Sequence, residues 1–328
     1  MELVCPAGTA SALRAAVDAG ADAVYLGFRD ETNARNFPGL NFSPAEAAGA
    51  IDYASAHRCK VYVAINTFPR AGAEELWQRA VDAAADLGAA AVILADIGLL
   101  DYAARRHPSL RIHLSVQASA SHKEAILFYR EAFGVRRVVL PRVLTVADIA
   151  ALNESLPVET EAFAFGGMCP MAEGRCSLSS YVTGQSPNMS GVCSPASHVR
   201  YERRGEELVS LLGGSIINRF APDEPAGYPT LCKGRFSVDG VSSYLFEEPT
   251  SLNTADMLAE LKAAGVTALK IEGRQRGRAY TASVVSSFRA LIDALLASQP
   301  APRAAVGELR SLAEGQRSTS GAFGKGWR

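Results

Sequence analysis

Four of the six cysteines in this 328-residue chain lie close together in the sequence, and thiolates are strong metal ligands. They are Cys169, Cys176, Cys193 and Cys232. All four lie in stretches rich in Gly and Pro, where loops can bring separated thiolates to one centre. Structural zinc sites favour cysteine pairs two to four residues apart, and no two of these cysteines are that close. A cubane iron–sulfur cluster accepts wider and unequal spacings, so the residues favour a cluster, with zinc and four unrelated thiols as alternatives.

A repeated pattern predicts the elements that position these cysteines. A Gly is followed four residues later by Val or Leu and six residues later by Leu or Ile, at Gly20, Gly88, Gly134 and Gly265. This pattern is typical of a helix that ends on a left-handed glycine before a buried strand. Together with the apolar runs between these units, it predicts strands near residues 2, 22, 60, 90, 111, 136, 158 and 266.

Eight strands alternating with Ala-rich helices predict an α/β fold, a closed (β/α)8 TIM-like barrel. An open doubly wound sheet is the alternative, but no Gly-x-Gly-x-x-Gly follows the first strand. The alternation stops after strand seven, which predicts a Cys-rich inserted subdomain on the loop side of the barrel. The predicted boundaries are 1–166 for strands one to seven, 167–252 for the iron–sulfur insertion, 253–297 for the last helix–strand–helix unit and 298–328 for a C-terminal tail.

Composition and charge exclude several classes of protein. Hydrophobic residues make up 48% of the chain, enough for a large core, and the net charge is only −1. That charge gives no electrostatic footprint for nucleic acid, so no nucleic-acid partner is expected. The most apolar stretch contains Asp96 and is shorter than the ~18 residues of a spanning helix. The first residues lack the features of a signal peptide, so a cytoplasmic protein with reduced thiols and no membrane span is expected.

A second set of polar side chains is predicted at the mouth of the barrel, where strands end and barrel active sites lie. The set comprises Asn66, Asp96, Gln117, Arg142, Glu161 and Glu272, with Arg35 and Arg274 in adjoining loops. Guanidinium groups bind carboxylates through two parallel hydrogen bonds, so arginines at the mouth suit an acidic ligand. The alternative is that these arginines form structural ion pairs with Asp96, Glu161 or Glu272.

A protease would need a nucleophile beside a base, or a metal-binding motif. Neither His-Glu-x-x-His nor Gly-x-Ser-x-Gly occurs in the sequence. Cys5 ends the first strand and His113 lies in the fifth, so across the barrel they form a candidate Cys–His pair. We prefer a packed core role for His113 and a structural role for both Cys5 and Cys59, with a mouth-lining Cys5 as the alternative.

The sequence around the first two clustered cysteines resembles the signature of the collagenase-like peptidase family U32. It reads Glu161-Ala-Phe-Ala-Phe-Gly-Gly-Met-Cys169-Pro-Met-Ala-Glu-Gly-Arg-Cys176-Ser-Leu-Ser179, with Gly167 where the family usually has Ser or Ala. Gly227-Tyr-Pro-Thr-Leu-Cys232 and Lys270-Ile-Glu-Gly-Arg274 are similar to segments of the branch that acts in oxygen-independent ubiquinone biosynthesis. The resemblance covers nearly all of residues 1–297.

The resemblance implies an enzyme that hydroxylates the ring of ubiquinone precursors without O2, with prephenate as the oxygen donor. It also implies a heterodimer with a sister subunit of the same family, and one [4Fe–4S] cluster on the four clustered cysteines. The candidate catalytic residues are Arg142 and Arg274, then Arg35, Glu161 and Gln117. Hydroxylation of RNA bases by a relative within the family and a collagenase-like protease are the alternative functions.

Overall fold

The computed structural model describes residues 1–169, 173 and 176–324. The described strands are β1 (Glu2–Pro6), β2 (Ala23–Leu26), β3 (Lys60–Ile65), β4 (Ala91–Leu94), β5 (Ile112–Leu114), β6 (Arg137–Val139), β7 (Glu159–Gly167), β8 (Val199–Arg204), β9 (Glu207–Leu212), β10 (Ser215–Phe220), β11 (Arg235–Val238), β12 (Val241–Tyr244), β13 (Ser251–Asn253), β14 (Ala268–Ile271) and β15 (Ser318–Thr319). The described helices are α1 (Ala10–Asp18), α2 (Pro44–Ala56), α3 (Glu75–Asp86), α4 (Ile97–Arg106), α5 (Lys123–Phe133), α6 (Val146–Asn153), α7 (Leu178–Thr183), α8 (Leu258–Ala263), α9 (Arg278–Leu296) and α10 (Arg303–Ser311).

Strands β1 to β7 and β14 form a closed parallel barrel, because β14 pairs with both β1 and β7. Each barrel strand lies at its predicted position, and helices α1 to α6 alternate with the first seven strands. The (β/α)8 barrel predicted from the sequence is therefore confirmed.

The glycines of the repeated pattern have the backbone conformation that the pattern predicts. Gly20, Gly88, Gly134 and Gly265 have φ values of 97°, 73°, 68° and 83°. Side chains larger than hydrogen are strained in this left-handed region, so glycine allows the chain to leave a helix and enter the next strand within a few residues.

The apolar core has two layers. The larger one lies between the barrel and its helices and includes Trp77, Leu94 and Phe288. The smaller one fills the barrel interior and includes Tyr25 and Tyr62. Successive side chains of a strand point to opposite faces, which assigns alternate residues of every barrel strand to one layer or the other.

The barrel interior also contains a buried network of charges. Lys270 Nζ on β14 lies 2.6 Å from Glu161 Oε1 on β7, and Arg137 Nη1 on β6 lies 3.3 Å from Glu161 Oε2. Arg137 also pairs with Glu2 on β1 at 2.5 Å. Glu161 is the third residue of β7 and is fully buried, so it lies below the mouth at which we predicted it.

The chain between β7 and β14, predicted as the insertion, contains two small antiparallel sheets. One is the three-stranded sheet β10-β9-β8, and the other is the hairpin β11–β12. Strand β13 then pairs antiparallel with the end of β7. Met171 and its neighbours Pro170 and Ala172, together with Gly174 and Arg175 of the predicted signature, lie outside the described residues.

The segment predicted as a C-terminal tail contributes α10 and β15. Strand β15 pairs in parallel with β13, and Phe323 packs into the larger core layer. Glu314 Oε2 lies 2.5 Å from Lys233 Nζ, which ties this segment to the cysteine-rich part of the chain.

Helix α9 is long and apolar enough, by length and composition, to cross a membrane. Its inner face, with Val284, Phe288 and Ile292, is buried, and the helix packs against α1, α10 and β1. Packing of this face on the barrel accounts for the apolar composition.

The buried network predicts a large effect of removing one charge. Lys270→Met leaves the Glu161 carboxylate buried with Arg137 alone, and loss of one partner of a buried pair typically costs about 3–5 kcal/mol. We expect a loss of this size in the free energy of unfolding, measured by urea denaturation. Arg79→Met, which breaks the exposed pair with Glu75, is the control and should cost less than about 1 kcal/mol. Equal effects of the two substitutions would contradict a stabilising role for the network.

Candidate active site at the barrel mouth

Three arginine side chains reach the carboxyl ends of the barrel strands. Arg35 lies in the loop after β2, Arg142 follows β6, and Arg274 follows β14. Glu272, the first residue after β14, accepts from Arg35 through Oε1 and from Arg142 Nη2 through Oε2 at 2.5 Å. One carboxylate therefore joins two guanidinium groups that come from opposite sides of the mouth.

The charge state of Glu272 is fixed by these partners. Burial alone would raise its pKa, but Arg142 and Arg35 outweigh burial and lower the pKa to about 2. Glu272 is thus a carboxylate at any pH near neutrality and does not serve as a proton donor there. Its evident role is to position the two arginines.

Arg142 is further neutralised by a second carboxylate. Its Nη1 lies 3.0 Å from Glu173 Oε1, and its guanidinium lies 3.7 Å from the centre of the Phe163 ring. The ion pairs that the sequence left as the alternative for Arg142 are therefore present, with Glu272 as predicted and with Glu173, which the sequence analysis missed.

Arg274 is arranged differently from the other two. It is 5% exposed, its Nη1 donates to Asn33 Oδ1 at 3.0 Å, and its guanidinium lies 5.6 Å from the centre of the Tyr25 ring. Within the described residues, no carboxylate lies at ion-pair distance from Arg274. Burial lowers its pKa to about 10, which leaves it charged at neutral pH. Arg274 thus retains most of its hydrogen-bonding capacity for an anionic ligand.

The surroundings of Arg274 fix its position. Asn33 Nδ2 donates to Phe28 O at 2.6 Å, which directs Asn33 Oδ1 towards the guanidinium. A Cβ at Gly27 would lie 2.7 Å from Arg274 Nη1, so the side chain occupies space that only glycine leaves open. The sequence analysis missed Asn33 as a site residue, although it lies two residues before Arg35.

Two predicted polar residues lie around these arginines. Asn66 Oδ1 accepts from Ala34 N at 3.0 Å, and its Nδ2 donates to Ser115 Oγ at 3.2 Å. Asn66 thereby holds the loop of Arg35 against the end of β5. Gln117 lies in a short 3-10 turn after β5, and within the described part of the chain its side chain has no hydrogen-bond partner.

Two other predicted residues lie outside this group. Asp96 caps the amino end of α4, where its Oδ1 accepts from Leu99 N at 3.0 Å. Glu161 lies inside the barrel in the network described above. Both carboxylates are occupied by structural contacts.

The four clustered cysteines lie in segments next to this mouth. Cys169 follows β7, Cys176 precedes α7, Cys193 lies in the loop after α7, and Cys232 lies in a 3-10 turn. The side chain of Asn188 donates to Cys176 O at 3.2 Å and so ties two of these segments together.

Main-chain hydrogen bonds anchor the loop of Cys193 to the mouth. Asn36 N donates to Gly191 O at 3.2 Å, and Phe68 N donates to Asn188 O at 3.0 Å. Gly191 has a φ of 76°, and a Cβ there would lie 2.2 Å from Asn33 O. This close approach brings the cysteine loop against the loop that carries Arg35.

The thiols lie within electrostatic range of one another and of two arginines. Burial raises the pKa of Cys193, Arg35 opposes that rise, and Cys169 and Cys176 add to it. Burial raises the pKa of Cys232 to about 12, with further contributions from the other three thiols. Cys169 also acts on Arg35 and Arg142. The thiol group and the arginine group are therefore neighbours.

The donor set fits a polynuclear metal group. Within the residues that the structure describes, no three His, Cys, Asp or Glu side chains are close enough to hold a single metal ion. The Cys232 thiol lies within electrostatic range of the other three thiols, and Ser194 beside Cys193 has a buried hydroxyl without a hydrogen-bond partner among the described residues. In number and chemistry the four thiols suit an iron–sulfur cubane better than a single zinc ion, and Ser194 adds a spare donor beside one of them.

The candidate Cys5–His113 pair does not form. Cys5 is fully buried in the layer between the barrel and its helices. His113 lies in the barrel interior, with its ring centre 4.7 Å from that of Tyr62. Burial moves both pKa values away from the range of a reactive pair, upward for Cys5 and downward for His113.

The sequence matches a known family over almost its whole length. Residues 8–326 match the model of peptidase family U32. The tRNA hydroxylation protein P1 of Bacillus subtilis is 30% identical over 90% of this chain and 64% of its own length. The tRNA hydroxylation protein P of Haemophilus influenzae is 32% identical over 95% of this chain and 72% of its own length.

A relative with a different described activity also matches. The collagenase of Porphyromonas gingivalis is 28% identical over 89% of this chain and 66% of its own length. The chain spans 64% to 72% of the lengths of these three relatives.

The Glu272 bridge predicts a pH-dependent contribution to stability. Its pKa falls from 4.5 to about 2 on folding, so the carboxylate stabilises the fold above pH 4.5, and the contribution is lost as the pH falls towards 2. Glu272→Gln should lower the free energy of unfolding by about 3 kcal/mol at pH 7. The difference in this free energy between the variant and the unmodified chain should become smaller between pH 5 and pH 3. Urea denaturation across this range measures it.

The control for this prediction is Glu75→Gln, which breaks only an exposed ion pair. This substitution should change the free energy of unfolding only slightly at every pH. A Glu272→Gln effect that stays constant from pH 7 to pH 3 would show that the lost stability does not come from the carboxylate charge.

Proposed function

This chain belongs to peptidase family U32, and on that premise we propose that it hydroxylates an aromatic ring without O2. The proposed substrate is a ubiquinone precursor, the proposed oxygen donor is prephenate, and the proposed partner is a sister subunit in a heterodimer of the UbiU–UbiV type. The observation that carries the proposal is that Cys169 and Cys193 lie within electrostatic range of Arg35 at the mouth of the barrel. The described activities of the tRNA hydroxylation relatives support hydroxylation as the reaction class.

We assign one [4Fe–4S] cluster to Cys169, Cys176, Cys193 and Cys232. When bound, the cluster would supply one-electron transfer. Converting a ring C–H bond to C–OH with an oxygen atom at the oxidation level of water releases two electrons and two protons. Such a reaction therefore needs an external acceptor of two electrons, and a one-electron redox group beside the substrate site would pass the electrons to that acceptor one at a time.

Arg274 is the proposed binding group for a carboxylate of the oxygen donor. Its free N–H groups are suited to two parallel hydrogen bonds with a carboxylate, and its burial strengthens a charged contact by excluding water. Arg142 and Arg35 already share Glu272, so in our proposal they shape the site rather than clamp the donor. This replaces the expectation from the sequence that Arg142 and Arg274 act as an equal pair.

Hydroxylation of an RNA base is the second candidate function. The relatives described as tRNA hydroxylation proteins favour it, as does the 23S rRNA 5-hydroxycytidine C2501 synthase of Escherichia coli, which is 27% identical over 90% of this chain. The expectation of no nucleic-acid partner is based only on a net charge of −1, and these relatives weigh against it.

A substrate comparison tests the proposed function. The chain, purified without oxygen together with its sister subunit, is incubated with prephenate carrying 18O in its hydroxyl group and with either a ubiquinone precursor or unmodified tRNA. We expect 18O in the quinone ring and none in tRNA nucleosides, measured by mass spectrometry. Label in tRNA alone would establish the RNA alternative, and label in neither would reject both functions.

The same preparation tests the cluster. It should contain about four irons and four sulfides per chain. Cys193→Ala should lose the iron and the activity, because one ligand is missing. Cys59→Ala, which changes a buried cysteine outside the thiol group, should lose neither. Stoichiometric zinc without sulfide would contradict the assignment.

Arg274→Met should reduce the rate at limiting prephenate by about 30- to 150-fold, because a charge-assisted contact in a buried site contributes about 2–3 kcal/mol. The KM for prephenate should rise while the iron content stays unchanged. Arg276→Met is the control, since Arg276 lies in the same loop but is 44% exposed in its side chain and pairs weakly with Glu314 at 3.9 Å. Normal kinetics of Arg274→Met would show that the donor binds elsewhere.

A further inference from the structure

We propose that Ser194 donates a hydrogen bond from its hydroxyl to a sulfur atom of the bound cluster and thereby raises the reduction potential of the cluster. This inference rests on the proposed binding of a cluster by Cys193 and the other three cysteines. It assigns a role to a residue that none of the sequence motifs identified.

Ser194 has a buried hydroxyl group that makes no hydrogen bond to the described residues. Ser194 directly follows Cys193, is 1% exposed, and its Oγ has no hydrogen-bond partner within the described residues. Buried polar groups in folded proteins nearly always have a partner, because an unpaired donor loses its bonds to water without replacement. Because Ser194 directly follows a proposed cluster ligand, a sulfur atom of the bound cluster would supply the partner that its hydroxyl lacks.

The second observation is that the main chain around Ser194 is held in place. Tyr228 OH donates to Ser194 O at 2.9 Å, and the preceding Gly191 accepts from Asn36 N. Hydrogen bonds thus anchor the main chain on both sides of Cys193. A donor fixed next to a ligand residue is the usual way in which proteins orient and tune a metal centre.

The direction of the effect follows from charge. Reduction adds one negative charge to a cluster, and a hydrogen bond to a sulfur atom stabilises the more negative state. Loss of the Ser194 hydroxyl should therefore make the potential more negative. The Arg35 guanidinium acts in the same direction through its positive charge, because it lies within electrostatic range of Cys193.

The chain offers a matched control in Ser210. This serine is 0% exposed, and its Oγ also lacks a partner within the described residues. It lies on β9, where it faces Tyr201 on β8 and Asn218 on β10. Ser210 therefore has the same chemistry and burial without the position next to a cysteine of the thiol group.

The experiment is a potentiometric titration of the full chain with its cluster, purified without oxygen and followed by electron paramagnetic resonance. We expect Ser194→Ala to shift the midpoint potential to a more negative value, whereas Ser210→Ala and the hydroxyl-retaining Ser194→Thr should keep the potential of the unmodified chain. An unchanged potential in Ser194→Ala would overturn the inference.

A second measurement uses the unmodified protein. It therefore tests the inference even if the Ser194→Ala variant does not bind iron. In the unmodified reduced protein, electron–nuclear double resonance after exchange into D2O should detect an exchangeable deuteron coupled to the cluster. Its absence would overturn the inference. A preparation that contains no cluster at all would instead overturn the proposed cluster, so the two failures are distinguishable.

Discussion

The seam between β7 and β14 is the constraint on which the candidate site depends. These two strands close the barrel, with Ala268 opposite Glu161, and the buried pair of Lys270 and Glu161 joins them below the mouth. The first cysteine segment leaves from the end of β7, and Glu272 and Arg274 leave from the end of β14. The same pairing that closes the barrel therefore places the segment of Cys169 beside the loop that carries Glu272 and Arg274.

The described side chains at the mouth include more positive than negative charges. Among the described residues, the guanidinium groups of Arg35 and Arg142 pair with the carboxylates of Glu272 and Glu173, and Arg274 adds a third guanidinium group. The arginines that share Glu272 are held by it, while the contacts of Arg274 within the described part of the chain are with the neutral side chains of Asn33 and Tyr25. An anion that enters the mouth is attracted by the excess charge, and the site does not need to give up an existing ion pair to bind it.

The barrel could be predicted from the sequence because its signals are local. A left-handed glycine and the apolar run after it lie within seven residues, so the turns into β2, β4, β6 and β14 are visible without knowledge of the rest of the chain. The extent of β7 was not visible in this way. Its last residues pair with β13, which comes from the distant segment 251–253. Glu161, which we predicted at the mouth, is only the third of the nine residues of β7 and lies inside the barrel.

Local sequence patterns also could not predict which residues form hydrogen bonds and ion pairs with the site residues. Arg142 and Arg35 were correctly predicted near the mouth, but their shared bond to Glu272 joins loops separated by more than a hundred positions. Glu173 and Asn33 carry no local signal that separates them from other polar loop residues. The spacing of the four cysteines in the sequence identified them as candidate ligands. The approach of their segment to Arg35 depends instead on main-chain hydrogen bonds such as that between Asn36 and Gly191.

The pairing of β1 with β14 has a consequence for the order in which the site is made. During synthesis the ribosome releases Cys232 well before Ala268, so all four thiols leave the exit tunnel while the barrel is still an open sheet. The arginine of the last strand's loop and the carboxylate beside it arrive only afterwards. In the nascent chain the thiols are therefore accessible to iron and to oxidants before the last barrel strand and its loop have been added beside them.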